Sequence, residues 1–372
     1  MTVHLKQDEP DTSNRLDGMK QGVIGQPISR VEGLAKVTGT APYAAEYPIE
    51  GCAEGVLTTA TITRGEILKI DKDSVLGMPG VIAVIDDPRL TTRAAQGTAN
   101  EAPQQSPRTV CYWGQPIALV VAETFEQARD AAKHLAVEYR PDEGAPLSPD
   151  AVQPEEQEDE TVRQGDLVHA MGEAAHSVDV TFTTKGHASA AMEPHAAIAQ
   201  WDGDQLTVHA SLQMLNYNIS ELADAIDLPE EKVRLVSRFV GGGFGSKLGV
   251  SEETVAAAIA AMQLERPVRV VMSRQQVFQC IMRRSETTQR LRLAADQKGR
   301  LTGFGHEALV SNLPGETFAE PVLQSSHFLY AAQNRKLMLE VARIHRMTAG
   351  SVRAPGEAVG MPALEGAMDV LA

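Results

Sequence analysis

Hydrophobic and polar positions change period several times along this chain, and each change marks an element. Residues 55–62 are rich in β-branched side chains and predict a strand, as do 80–86. Residues 116–122 are apolar without a break, the pattern of a strand buried on both faces. Behind Thr124 the period lengthens: Phe125, Ala128, Ala131, Ala132, Leu135 and Ala136 recur at helical spacing. Residues 137–139 then return to the sheet. Together these predict an α+β domain over 23–141, preceded by a loosely attached polar arm at 1–22 and interrupted by a polar loop at 91–107. Residues 142–165 follow Pro141 and contain Pro146, Pro149, Pro154 and an acidic run from Glu155 to Glu160, the composition of a solvated linker.

A second domain is predicted over 166–372. Residues 176–184 alternate like a half-buried strand. Segments 196–201 and 205–210 flank Asp202-Gly203-Asp204, a hairpin turn. A short helix is expected at 219–226, ending before Pro229, and a strand at 233–236. Ser251 caps a helix with Glu252 and Glu253 in its first turn and an apolar run from Val255 to Met262. Strand 268–272 follows Pro267, a hairpin turns at Lys298-Gly299, and 307–347 shows no single period. From Pro362 a helical pattern begins that no Gly, Asn or basic last turn closes, so the chain is expected to be an incomplete second domain.

Between strand 233–236 and the Ser251 helix lies Val240-Gly241-Gly242-Gly243-Phe244-Gly245-Ser246-Lys247. Four glycines in five positions bare the backbone amides on one side, a donor surface suited to anionic oxygens. Neither common nucleotide fingerprint fits: Ser246 separates Gly245 from Lys247, and it also occupies the third glycine position of a dinucleotide motif.

Composition narrows the partners. The 372 residues carry a formal charge of −15, which disfavours nucleic acid and anionic membranes. Cys52, Cys111 and Cys280 are isolated from one another and form no cluster-binding pattern. His187, Glu193 and His195 lack ligand spacing and a further donor, so no protein-ligated metal is expected. Residues 1–21 show neither an apolar signal region nor twin arginines, and no apolar run is long enough to span a membrane. A soluble protein is expected, in the cytoplasm or carried to the periplasm by a signal-bearing partner.

Four ordered segments resemble the molybdenum-binding subunit of the xanthine dehydrogenase/aldehyde oxidase family, in its bacterial periplasmic aldehyde oxidase form. They are Met192-Glu193-Pro194-His195, Ser211-Leu212-Gln213-Met214, the glycine loop, and Arg353-Ala354-Pro355-Gly356-Glu357. The resemblance implies an α/β hammerhead domain followed by the first molybdopterin-binding domain, about the first half of the family's subunit. It implies oxidation of an aldehyde to a carboxylic acid with water as oxygen source. The cofactor would be molybdenum-molybdopterin in its cytosine dinucleotide form, with electrons leaving to [2Fe-2S] and FAD subunits.

Residue by residue, the resemblance makes Gln213 an amide donor to the metal's apical oxo group and sets Met214 beside the pterin. Gly242, Gly243, Phe244 and Gly245 become a wall near the metal, and Arg353 a catalytic cation at the rim. Leu248 replaces the Glu that follows the loop lysine in xanthine-oxidising members, and Pro355 replaces a Phe; both departures favour aldehydes over purines. The family's general-base Glu has no counterpart here. The chain alone is therefore expected to be inactive and poorly soluble without the remaining half, and the alternative is a catalytically silent, partner-binding subunit.

Overall fold

The computed structural model describes residues 22, 26–90 and 108–372. The expected arm, apart from Gly22, and the polar loop at 91–107 lie outside the described residues. By internal contacts the chain divides at Ala41/Pro42. The described part of the first unit holds one short helix, Gly33–Val37, which buries no side chain.

The second unit is built on a seven-stranded mixed sheet. Its order is Val233–Val236, Leu206–Ala210, Ala196–Trp201, Val268–Val271, Ala53–Thr59, Pro116–Ala122 and Val81–Ile85. Pro116–Ala122, buried along its whole length, is flanked by strands on both sides, as its unbroken apolar run requires. The two central strands come from opposite sides of the boundary expected near residue 142. Ala53–Thr59 runs parallel to Val268–Val271, pairing Ala53 with Val268 and Gly55 with Val270. Gly55 is required at that crossing, because a Cβ there would lie 2.9 Å from Val270 Cγ2. One hydrophobic core consequently includes Leu57, Leu119 and Val121 together with Val208, Ile259 and Val270.

Helix Glu252–Leu264 crosses this core with Ala256 to Ala261 fully buried. An apolar run without a polar stripe is the pattern of a helix covered on every side. Ser251 occupies the N-cap position, but its hydroxyl does not cap the backbone; it donates instead to Glu253 Oε1 at 3.0 Å. Glu253 is buried as well, and burial pushes its carboxyl above the usual range.

A second sheet lies beyond. Its order is Glu155–Glu156, Asn334–Arg343, Leu301–Asn312, Thr287–Ala295 and His176–Thr184, with Val162–Gln164 also pairing to Asn334–Arg343. The segment read as a linker thus supplies two short strands while its acidic side chains stay largely exposed. The region without a clear period, 307–347, contains most of the long parallel pair Leu301–Asn312 and Asn334–Arg343. Helix Glu357–Leu371 packs Val359, Ala363, Leu364 and Ala367 into this sheet's core; it begins before Pro362, which lies inside it. A three-stranded sheet, Thr109–Val110, Gly65–Asp71 and Ala136–Pro141, takes up the strand expected at 137–139. Among the described residues no helix is long and apolar enough to cross a membrane.

Candidate active site

The glycine loop leaves strand Val233–Val236 and returns to helix Glu252–Leu264, so both of its ends are fixed in the first sheet's layer. Its backbone is unusual. Gly242 and Gly245 have φ of 100° and 96°, and Phe244 between them is held at 53°. Such angles cost a non-glycine residue about 1–3 kcal/mol and persist only where surroundings enforce them. Here the Phe244 carbonyl accepts the Arg353 N–H at 2.8 Å, and a Cβ on Gly245 would lie 2.2 Å from the Ser351 carbonyl. The loop is therefore clamped against the 351–356 turn. Ala354 in that turn also has a positive φ, 54°.

Gln213 meets the loop from the other side. Its backbone N–H donates to the Lys247 carbonyl at 2.8 Å, and its side-chain Oε1 accepts the Gly245 N–H at 3.2 Å. This fixes the amide's orientation, leaving its NH2 without a protein acceptor among the described residues. Gly243 permits the approach: a Cβ on it would fall 2.2 Å from Gln213 Oε1. The N–H groups of Gly242, Gly243 and Phe244 likewise have no acceptor among the described residues. Phe244 is 43% exposed, and Gln213, Met214 and Arg353 are exposed. Met214 stands at the N-cap of helix Leu215–Ile226, which starts four residues earlier than the sequence pattern predicts. The Arg353 guanidinium has no ion-pair partner among the described residues, nearby Glu357 included.

The structure thus brings Gln213, Gly243, Phe244, Gly245 and Arg353 together through direct contacts, with Gly242 at the loop's turn and Met214 adjoining Gln213. Amide donors, an exposed aromatic ring and an exposed cation thus belong to neighbouring residues. Donors without protein acceptors, beside a backbone cradle that a Cβ would fill, fit an anionic cofactor with terminal oxygens.

Beneath the surface, Glu193 and His195 take separate roles. Glu193 Oε2 accepts from the Gly241 N–H at 2.7 Å, Ser211 Oγ at 2.5 Å and Lys247 Nζ at 3.1 Å. His195 is 1% exposed, its Nε2 lies 3.0 Å from the Ser246 carbonyl, and burial pushes its imidazole down to about 4. Lys247 is fully buried, and desolvation lowers its ammonium below the usual range against the pull of Glu193. Sequence reasoning missed this buried charge, and it missed Arg284. The Arg284 guanidinium pairs with fully buried Glu320 and donates to the carbonyls of Val352, at 2.8 Å, and Arg353. Glu320 Oε1 also accepts the Gly356 N–H at 2.7 Å. The only signal for Arg284 was an Arg-Arg pair beside apolar residues, which reads equally as a surface.

Comparison with known proteins identifies the family. Residues 151–372 match the molybdopterin cofactor-binding domain, and 38–143 match the aldehyde oxidase and xanthine dehydrogenase a/b hammerhead domain. The chain belongs to the aldehyde oxidase and xanthine dehydrogenase family. Among this family's molybdenum-binding subunits, the chain is 40% identical over 375 aligned positions to the aldehyde oxidoreductase molybdenum-binding subunit PaoC of Escherichia coli K12. That alignment takes in 99% of this chain and 50% of PaoC, so the chain spans half that relative's length. It is 28% identical to the nicotinate dehydrogenase large molybdopterin subunit of Eubacterium barkeri, covering 76% of this chain and 69% of that protein. The aldehyde oxidoreductase of Desulfovibrio gigas superposes with a TM-score of 0.78 at 25% identity, over 92% of this chain and 41% of that one. The hammerhead and molybdopterin-binding fold expected from the motifs is the fold of this family member.

Proposed function

We propose that this protein is the molybdenum-binding subunit of an aldehyde-oxidising molybdenum hydroxylase. The observation that carries the reading is the aim of Gln213. Its carbonyl oxygen accepts the Gly245 N–H, its NH2 has no protein acceptor among the described residues, and Phe244 and Arg353, exposed like Gln213, adjoin the same loop. Molybdopterin, when bound there, supplies the redox centre at which an aldehyde is oxidised with water as oxygen source. The chain's own residues bind and orient. The Gln213 NH2 and the amides of Gly242, Gly243 and Phe244 donate to cofactor oxygens, and the Phe244 ring walls the substrate side. Arg353 offers a guanidinium to negative charge developing on the substrate oxygen. Leu248 and Pro355 supply neither an acidic nor an aromatic side chain at their positions, and the 40% identity to an aldehyde oxidoreductase subunit supports the aldehyde class. The cytosine dinucleotide form of the pterin, and onward electron transfer to [2Fe-2S] and FAD partner subunits, belong to the same proposal.

The test is the native protein purified with its associated chains. Molybdenum and the released pterin nucleotide are quantified, and aldehydes and purines are compared as substrates with an artificial electron acceptor. Near-stoichiometric molybdenum, aldehyde turnover and at least about a tenfold loss in Gln213→Ala are expected. Absence of molybdenum, or purine turnover without aldehyde turnover, overturns the reading.

A further inference from the structure

The three segments that carry the family resemblance ahead of the 351–356 turn are far apart in sequence, yet each sends one side chain to a single buried point. Glu193 comes from Met192–His195, Ser211 from the segment holding Gln213, and Lys247 from the end of the glycine loop. The Lys247 ammonium has three donors and three acceptors: Ser211 Oγ at 2.7 Å, the Glu193 carbonyl at 3.0 Å and Glu193 Oε2 at 3.1 Å. Ser211 Oγ in turn donates to Glu193 Oε2 at 2.5 Å. The same carboxylate oxygen accepts the Gly241 N–H. Gly241 and Lys247 are the two ends of the glycine loop, so one carboxylate holds both ends at a set separation. Ser211 lies two residues before Gln213, whose own N–H is bound to the Lys247 carbonyl.

We infer that Glu193, Ser211 and Lys247 act as one positioning unit that fixes the span of the glycine loop and the aim of the Gln213 amide at the cofactor. The inference rests on the molybdopterin reading for its functional consequence, but its structural part does not. The unit lies almost wholly below the surface: Ser211 is 1% and Lys247 0% exposed, and the Glu193 side chain 10%. Its effect on turnover must therefore pass through the loop. A network of this kind, with every donor satisfied, is worth more as a whole than its pairs. Loss of any member should loosen the loop as much as loss of two.

The test uses the assembled holoenzyme carrying Ser211→Ala, Lys247→Met, or both. Three quantities are read: hydrogen exchange in peptides covering 238–248, molybdenum per chain, and kcat and KM per bound molybdenum. Ser211→Ala removes one buried hydroxyl and is chosen to keep the fold if Lys247→Met does not. The expected result is exchange accelerated about tenfold or more in the loop peptide, with peptides of strand 287–295 unchanged. Alongside it, kcat should fall about tenfold with KM little altered, as for outer partners that orient a metal site. The double variant should be no worse than the more severe single one. Wild-type loop exchange and kcat in Ser211→Ala, or losses that add in the double variant, overturn the inference. If the wild-type holoenzyme holds no molybdenum, the functional reading fails while loop exchange still decides whether the unit pins the loop.

Discussion

Arg284 offers the sharpest test of how the Arg353 turn is held. Its guanidinium is 5% exposed and its partner Glu320 fully buried. Arg284→Met deletes the cation, strips the Val352 and Arg353 carbonyls of a donor, and leaves a carboxylate buried without its counter-charge. Breaking a buried pair from one side costs roughly 3–5 kcal/mol, because the remaining charge is uncompensated. Glu320→Leu removes the other partner and also orphans the Gly356 N–H, for a similar loss. In the double variant no unpaired charge remains. Its cost should be only that of the orphaned backbone groups, about 3–4 kcal/mol at about 1 kcal/mol each. The two single losses would sum to about 6–10 kcal/mol, so the cycle should show a coupling of about 2 kcal/mol or more. At about 2–4 °C per kcal/mol, each single variant should melt roughly 10 °C below wild type, and the double variant no lower than the worse single. Thermal scans of the four proteins at fixed pH and concentration measure this directly. Additive losses, or an Arg284→Met protein that melts within about 2 °C of wild type, would refute the reasoning that the pair is a charge-compensated clamp.

Two glycine substitutions separate packing from strain. Gly243 has no positive φ, and the three atoms nearest its added Cβ all belong to the Gln213 side chain, so Gly243→Ala should keep the melting temperature while turnover or molybdenum content falls about tenfold. Gly245→Ala meets the Ser351 carbonyl at 2.2 Å with φ at 96°, so it should destabilise by at least about 1–3 kcal/mol in a denaturant titration; equal effects of the two substitutions contradict this account. Acid should weaken the fold through His195 and His306, both buried and both pushed down to about 4. Their folded values lie below the unfolded one, so their contribution is complete above about pH 6.5 and declines as pH falls toward 4, by about 2 kcal/mol each between pH 7 and 5. Replacing both with Gln should flatten the melting temperature over that range, and an unchanged slope would remove the histidines from the account.

What could be read in the sequence was whatever depends on neighbours along the chain. The 202–204 hairpin, the Pro116–Ala122 strand and the helix after Ser251 follow from local period and turn chemistry, whereas the meeting of Gln213 with the glycine loop was implied only by the family resemblance. What stayed hidden depends on distant partners. Nothing in residues 53–55 announces pairing with 268–270, and strand Asn334–Arg343 borrows its regularity from the long strand beside it. Lys247 and Arg284 were hidden for another reason: charged side chains are rarely fully buried. Their burial depends on Glu193 and Glu320, which come from elsewhere in the chain. Glu193 was noticed in its motif, but only Lys247 and Ser211 reveal what it holds.

The parallel pairing of Ala53–Thr59 with Val268–Val271 bears on how such proteins can be recombined. Two matched sequence modules meet inside one sheet, so the hammerhead cannot be grafted onto a foreign neighbour as a bead on a string. A chimera joined near residue 145 would need the donor's 53–59 edge to match the recipient's 268–271 edge in register and in side-chain volume at Gly55. Exchange between relatives should therefore succeed when the segments 53–59 and 268–271 travel together, and fail when a crossover separates them.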